Sequence, residues 1–276
     1  MTGIMLAGAG VGQVIIPPVA TQLISVYGWR TSYIIVGILV LVLLVVVAQF
    51  LKRDPSQVGL LPDGNSKVED PPPTLEAKGF SIQKAIHTRQ FLVLAIMYAC
   101  YGFFLQAIMV HIVPHATDLG ISALLAANIL AIIGGVSIVG RIGIGIASDR
   151  LGNRPALVLV FILAGIALVW LQFTKELWMF YLFAVIFGFA YGGLITLMSP
   201  IVAELFGLRV HGIILGVVSL SNAIGGTMGP FLAGRVFDLT NSYSVAFIVC
   251  AVLSVIALIL AVLLRSPRRG SLMGNG

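Results

Sequence analysis

Apolar residues run in uninterrupted stretches of about twenty or more along most of the chain, and short polar segments separate them. About twenty residues at 1.5 Å per residue cross the roughly 30 Å hydrocarbon core of a bilayer. The pattern therefore predicts an all-α polytopic membrane protein. About eight transmembrane helices are expected, at 3–26, 31–51, 91–113, 121–147, 155–173, 177–203, 212–236 and 243–264.

One long polar segment, residues 52–90, breaks this pattern. It contains RDPSQVGLLPDGNSKVEDPPPTLEAKG, which is rich in Pro, Gly and charge and has no apolar period, as is typical of a linker. It divides the chain into two helices at 1–51 and a six-helix bundle at 91–265, followed by a tail at 266–276.

The composition agrees with a membrane location. The 276 residues are 59% hydrophobic and only 9% charged, whereas soluble domains carry roughly a quarter charged residues. The basic residues that give the net charge of +6 lie in short connections and form no continuous patch, so nucleic acid is not an expected partner.

Successive connections between the helices lie on alternate sides of the membrane, and the basic residues are divided unequally between the two sides. The connections of one side hold only Arg30, Lys175 and Arg235. Because cytoplasmic loops are enriched in Lys and Arg, both termini are expected in the cytoplasm, with the chain in the cell (inner) membrane.

A single arginine, Arg141, lies inside an apolar stretch. It precedes Asp149 by eight residues, or about 12 Å of helix, which puts it near the bilayer midplane if Asp149 marks the membrane boundary. An arginine there costs about 2.5–3.5 kcal/mol on insertion scales.

Small and polar residues share the helical face of Arg141: Gly134, Ser137, Gly145 and Ser148. Two interpretations remain open. Arg141 pairs with a carbonyl or a neighbouring helix, or it holds a carboxylate substrate through paired hydrogen bonds.

Residues 140–154, GRIGIGIASDRLGNR, carry the pattern G-R-x-x-x-G-x-x-x-D-R-x-G-x-R. This pattern resembles the signature between the second and third helices of a six-helix half in the major facilitator superfamily. The resemblance extends over nearly the whole chain, which would supply the last two helices of an N-terminal half and a complete six-helix C-terminal half. The first four of the family's twelve helices are expected to be absent.

The segments RDPSQVGLLPDG, HIVPHATDLGIS and VAELFGLRVHGIILG resemble the monocarboxylate and oxalate–formate branch of that family. The resemblance implies that Arg141 binds a carboxylate, since an arginine of the eighth helix does so in this branch. Oxalate-type members carry a second cation in the eleventh helix. The matching segment here offers Ser219 and Asn222 instead, and one fixed positive charge suits a monoanion.

Other polar groups inside the spans are further candidates for lining the substrate cavity. Tyr98, Tyr101 and Gln106 share one helical stripe, and Tyr191 shares a stripe with Ser199. Aromatic residues at such spacings more often serve packing, so both interpretations stay open.

The charged turn has a structural interpretation. Gly152 permits a tight reversal between two long helices, and Asp149 can pair with nearby basic residues. The resemblance implies a cytoplasmic gate that closes the inward side, formed by Gly145, Asp149, Arg150, Gly152, Arg154 and Glu204. The alternative is a solvated, positively charged loop.

Together these features predict a secondary transporter that moves a small organic anion, a monocarboxylate, by alternating access. The expected partners are lipid, that anion and the missing four helices. The alternative is a truncated, non-transporting membrane protein with a structural, sensing or partner-binding role. No catalytic residue, metal ligand or cofactor is expected, because the spans hold no paired carboxylates, metal-ligand spacing or nucleophile with its base.

Overall fold

Helices form the regular structure of the protein in the computed structural model, which describes residues 2–50, 85–207 and 209–264. Seven follow one another in these ranges: α1 Thr2–Phe50, α2 Arg89–Asp118, α3 Ala123–Leu151, α4 Asn153–Leu171, α5 Leu177–Phe206, α6 His211–Thr240 and α7 Ser244–Leu263. Each contains a stretch long and apolar enough to cross a membrane. The predicted all-α polytopic membrane fold is confirmed.

The first two predicted spans, 3–26 and 31–51, correspond to two helical segments of α1 that meet at a kink at Gly28. Each segment has more than twenty residues, about the length that crosses a hydrocarbon core. The helical geometry of α1 is interrupted at Gly28 (φ 73°, ψ 162°), a backbone conformation that glycine adopts without steric cost. With α1 counted as its two segments, the described residues contain the eight helical stretches that the sequence predicted.

The chain divides into two compact units, one of residues 1–18 with 79–276 and one of residues 19–78. In the second unit, the described residues 19–50 belong to α1 and expose nearly all of their large apolar side chains. Ser32 is an exception: its side chain is buried, and its hydroxyl donates to the carbonyl oxygen of Gly28 at 2.7 Å. This bond satisfies a backbone carbonyl at the break.

In the first unit, α2 packs mainly against α6 and α7, α3 against α5, α5 against α4, and α4 against α7. Each helix has a buried face and an exposed face, as α3 shows. Ser137 and Arg141 are buried, while Ile142 and Ile146 are about half exposed. The small and polar stripe therefore faces protein, as predicted, and the isoleucines form an apolar outer surface of the kind that contacts lipid.

Glycines allow the closest helix contacts of this unit. Gly225 and Gly229 of α6 lie against the backbone carbonyls of Ala99 and Phe103 of α2, where an added Cβ would clash at both positions. Their four-residue spacing keeps both on one face of α6. Small residues at this spacing are the usual means of bringing membrane helices together.

Residues 51–84 and 265–276 lie outside the described ranges. The predicted cytoplasmic tail at 266–276 and most of the predicted linker at 52–90 belong to them. The proposed domain boundaries therefore stay predictions.

Candidate functional site

Arg141 lies in the α3–α5 interface with 1% of its surface exposed. Gly192 of α5 makes this position possible, because a Cβ added there would lie 2.9 Å from the Arg141 backbone nitrogen and would clash with the carbonyl of Ser137. The Ser137 hydroxyl donates to the carbonyl oxygen of Gly134 at 2.7 Å. It is therefore satisfied within its own helix turn and brings no negative charge to Arg141.

Four buried polar atoms in the described part of the chain have no hydrogen-bond partner there: Arg141 Nε, Arg141 Nη1 and the hydroxyl oxygens of Tyr98 and Tyr101. Tyr98 is fully buried and Tyr101 is 2% exposed. Leaving a buried polar group unsatisfied costs about 1–3 kcal/mol, and more for a charged group. Such a concentration of unmet hydrogen-bonding capacity is a feature of binding sites, where a ligand completes it.

These groups belong to one cluster. The rings of Tyr98 and Tyr101 meet edge to face with centroids 5.9 Å apart. Tyr101 also lies close enough to Arg141 and Tyr191 to interact electrostatically with both. We call Tyr98, Tyr101, Arg141 and Tyr191 the arginine–tyrosine cluster. It joins α2, α3 and α5, and it combines one cation with three hydroxyl groups that can donate or accept.

Phenylalanine rings continue the cluster away from Arg141. Tyr101 packs edge to face against Phe104, Phe104 against Phe187, and Phe187 stacks on Phe183. This packing fixes the Tyr101 ring on one side, so its hydroxyl is held in place.

Gln106, a predicted site residue, is exposed and lines a cavity of about 260 Å³. The other lining residues are Pro17, Leu105, Met109, Leu130 and Tyr191, all in the unit of residues 1–18 and 79–276. Because Tyr191 belongs to both the cavity wall and the arginine–tyrosine cluster, the two features adjoin.

Asn222 and Ser219 have other surroundings. Asn222 packs against Gly102 of α2, where an added Cβ would lie 2.6 Å from Asn222 Oδ1, and Ser219 is exposed on α6. Within the described residues no hydrogen bond joins either side chain to Arg141. Their role in substrate binding stays a prediction.

Acidic side chains of the described ranges lie at or next to helix ends, at least eight residues along the chain from Arg141. They are Asp118 in α2, Asp149 in α3, Glu176 before α5, Glu204 in α5 and Asp238 in α6. In the described part of the chain, none of these carboxylates partners Arg141 Nε or Nη1.

The predicted gate surrounds a one-residue turn. Gly152 alone separates α3 from α4, with φ 93°, and its N–H donates to the carbonyl oxygen of Ser148 at 2.9 Å. The positive φ explains the glycine, and the predicted tight reversal is confirmed. Arg150 and Asp149 are exposed, and Gly145 is half-buried.

Two hydrogen bonds tie this turn to other helices. Asn153 Nδ2 donates to Glu204 Oε2 at 2.8 Å, and Arg154 Nη2 donates to the carbonyl oxygen of Val262. The amide of Asn153 reaches Glu204 because Asn153 begins α4 directly opposite the end of α5. The pairing of Asp149 stays a prediction.

A second cluster, which was not predicted from the sequence, lies where α2 and α6 end. His115 packs against the rings of Phe180, Tyr243 and Phe247, and His111 Nε2 lies 3.0 Å from the carbonyl oxygen of Pro230. Burial, with the nearby carboxylates of Asp118 and Asp238, raises the pKa of Tyr243. The partners come from four helices, so no local sequence signal could reveal the group. Among the described residues no cluster of His, Cys, Asp and Glu fits a metal ion.

Comparison with known proteins adds a family relationship. The sequence profile described as Major Facilitator Superfamily matches residues 1–147 and 94–274. Monocarboxylate transporter 12 of Rattus norvegicus is 30% identical over 270 residues, which cover 90% of this chain and 56% of the relative. The MFS transporter asaE of Aspergillus flavus is 27% identical over 236 residues, covering 84% and 49%.

A bacterial relative shows the same partial coverage. The uncharacterized MFS-type transporter YcxA of Bacillus subtilis is 25% identical over 233 residues, which cover 82% of this chain and 54% of the relative. The chain thus spans about half the length of the curated relatives that it matches.

Proposed function

The chain belongs to the major facilitator superfamily, and from this premise we propose that it forms the substrate-binding part of a secondary transporter for a small organic anion, a monocarboxylate. Arg141 holds the carboxylate, and the hydroxyls of Tyr98 and Tyr101 complete its hydrogen bonds. Rigid-body rocking of helix bundles exposes the site to each side of the membrane in turn.

The observation that carries this proposal is the unmet hydrogen-bonding capacity around Arg141. A buried guanidinium with two nitrogens unpartnered among the described residues is unfavourable by itself. A carboxylate accepts from a guanidinium through charge-assisted bonds that are about twice as strong as neutral ones. Binding such an anion would therefore offset the cost of burying the arginine.

The single buried cation supports a monoanion over a dianion. Among the described residues, Arg141 is the one charged side chain that is buried. The second carboxylate of a dianion would therefore have no ion partner in this interior. The name of the similar Monocarboxylate transporter 12 of Rattus norvegicus agrees with this charge argument.

The turn at Gly152 supports a role in gating. It ties the ends of α3 and α4 to α5 through Glu204 and to α7 through Val262, so these helix ends would move together. We place this turn, with Gly145, Asp149, Arg150, Arg154 and Glu204, at the cytoplasmic side of a cell membrane, with both termini on that side, because the connections there carry most of the basic residues.

Uptake by the full chain in proteoliposomes tests the proposal. Radiolabelled acetate, oxalate and tetraethylammonium are compared, with empty liposomes as the blank. We expect uptake of the monocarboxylate above the blank and none of the dianion or the cation. Equal uptake of all three would indicate a leak, and preferential uptake of the cation would contradict the assignment of Arg141.

A further inference from the structure

The cavity beside the arginine–tyrosine cluster has room for more than a two- or three-carbon acid. Its volume is about 260 Å³. This is several times the ~30 Å³ that one water molecule occupies in the liquid, so the space holds a group larger than a methyl. The methyl group of acetate would fill only a small part of this cavity.

The position of the cavity suits the body of a ligand whose carboxylate is held by Arg141. Tyr191 is common to the cavity wall and the cluster. Leu105, on the cavity wall, follows Tyr101 by four residues on α2, so the two side chains lie one above the other about 6 Å apart along the helix axis. A substituent one ring and one methylene long covers that distance.

The chemistry of the wall defines what this substituent should be. Four of the six lining residues are apolar: Pro17, Leu105, Met109 and Leu130. Methionine adapts its shape to flat or irregular apolar groups and makes favourable contacts with aromatic rings. The Gln106 amide and the Tyr191 hydroxyl are the polar groups of this wall, so the apolar part of the body would lie against the other four residues.

We propose that the site selects monocarboxylates with an apolar body about one ring and one methylene group long, such as arylalkyl carboxylates, over acids of two or three carbons. This inference rests on the proposed function, because it takes Arg141 as the anchor of the carboxylate. The cavity then supplies the selectivity by burying apolar surface, which contributes about 0.8 kcal/mol for each CH₂ group.

Ligand-observed NMR titrations of the full chain in nanodiscs, with phenylacetate and acetate as probes, test the proposal. We expect phenylacetate to bind at least tenfold more tightly than acetate. Leu130→Trp fills the cavity and should weaken phenylacetate binding at least tenfold while changing acetate binding less than twofold. Leu124→Trp, on the exposed face of the same helix, is the matched control and should change neither.

The outcomes separate this inference from the proposed function. If acetate binds through Arg141 as tightly as phenylacetate, or if Leu130→Trp leaves phenylacetate binding unchanged, the size selectivity is wrong and the anion site stands. If both probes bind equally well to Arg141→Gln, or neither binds to the unmodified chain, the proposed function and this inference both fail. Met109→Phe, a smaller change in the same wall, replaces Leu130→Trp in the comparison if the tryptophan variant does not fold.

Discussion

Gly192 of α5 packs directly against the backbone of Arg141 of α3, where a Cβ added to the glycine would lie 2.9 Å from the arginine nitrogen. This contact sets the distance between the two helices at the depth of the only intramembrane cation that the described residues bury. The neighbouring Tyr191 is thereby brought to the arginine–tyrosine cluster. The geometry of the proposed anion site consequently depends on Gly192, which has no side chain.

Gly192→Ala should disturb both folding and binding. The added methyl group would clash with the carbonyl of Ser137, and backbone cannot give way as a flexible side chain can. Overpacking of this kind costs about 1–3 kcal/mol, so a lower midpoint of thermal unfolding in detergent is expected. Gly216→Ala is the control, because an added Cβ at Gly216 of α6 meets nothing within 4 Å. Equal effects of the two variants would contradict the close contact.

Arg141→Gln should abolish monocarboxylate binding and leave expression intact. Losing two charge-assisted hydrogen bonds of about 1.5–3 kcal/mol each weakens binding more than a hundredfold. The unfolding midpoint should stay level or rise, since a buried charge without a protein partner is removed. Arg235→Gln, at an exposed position of α6, should retain binding. Uptake by Arg141→Gln at the unmodified rate would rule out the substrate assignment.

Tyr101→Phe separates a ligand contact from a packing role. The Tyr101 hydroxyl is buried without a partner among the described residues, so its removal should not lower the unfolding midpoint. If the hydroxyl donates to the carboxylate of the substrate, affinity for a monocarboxylate should fall at least about tenfold, because a hydrogen bond to a charged group contributes about 1.5–3 kcal/mol. Titration calorimetry measures the affinity, and Tyr33→Phe, at an exposed position, is the control. A destabilised variant with unchanged affinity would indicate packing alone.

Asp149→Asn tests the gate. Asp149 lies in the last turn of α3, beside the Gly152 turn that is tied to α5 and α7. Neutralising it should change the rate of exchange across proteoliposome membranes several-fold while equilibrium affinity changes less than twofold. Asp238→Asn, in the last turn of α6, serves as the comparison at another helix end. A defect confined to affinity would argue against the gating role.

Several features of the site were accessible from the sequence because they depend on residues close together in the chain. The depth of Arg141 follows from its eight-residue distance to Asp149, and its buried face follows from helical spacing. The turn at Gly152 follows from a glycine among charged residues between two apolar stretches. Its positive φ in the structure confirms that interpretation.

The surroundings of Arg141 depend on contacts between distant parts of the chain. Tyr98 and Tyr101 could be named as candidates from their stripe, yet nothing local to them indicates that they meet Arg141 about forty residues later. The amide of Asn222 lies at the α2–α6 contact because Gly225 and Gly229 fix the rotation of α6 against α2, and a helical period alone leaves that rotation undetermined.

The sequence by itself determined that this protein spans a membrane, where its helices run and which charged side chain lies deep among them, because hydrophobic length and helical period are local properties. Only the tertiary structure decided which hydroxyls share the interior with Arg141, and that Leu105, Met109 and Leu130 enclose a cavity beside it. These features depend on how closely and at what rotation helices pack, which small residues at their contacts control.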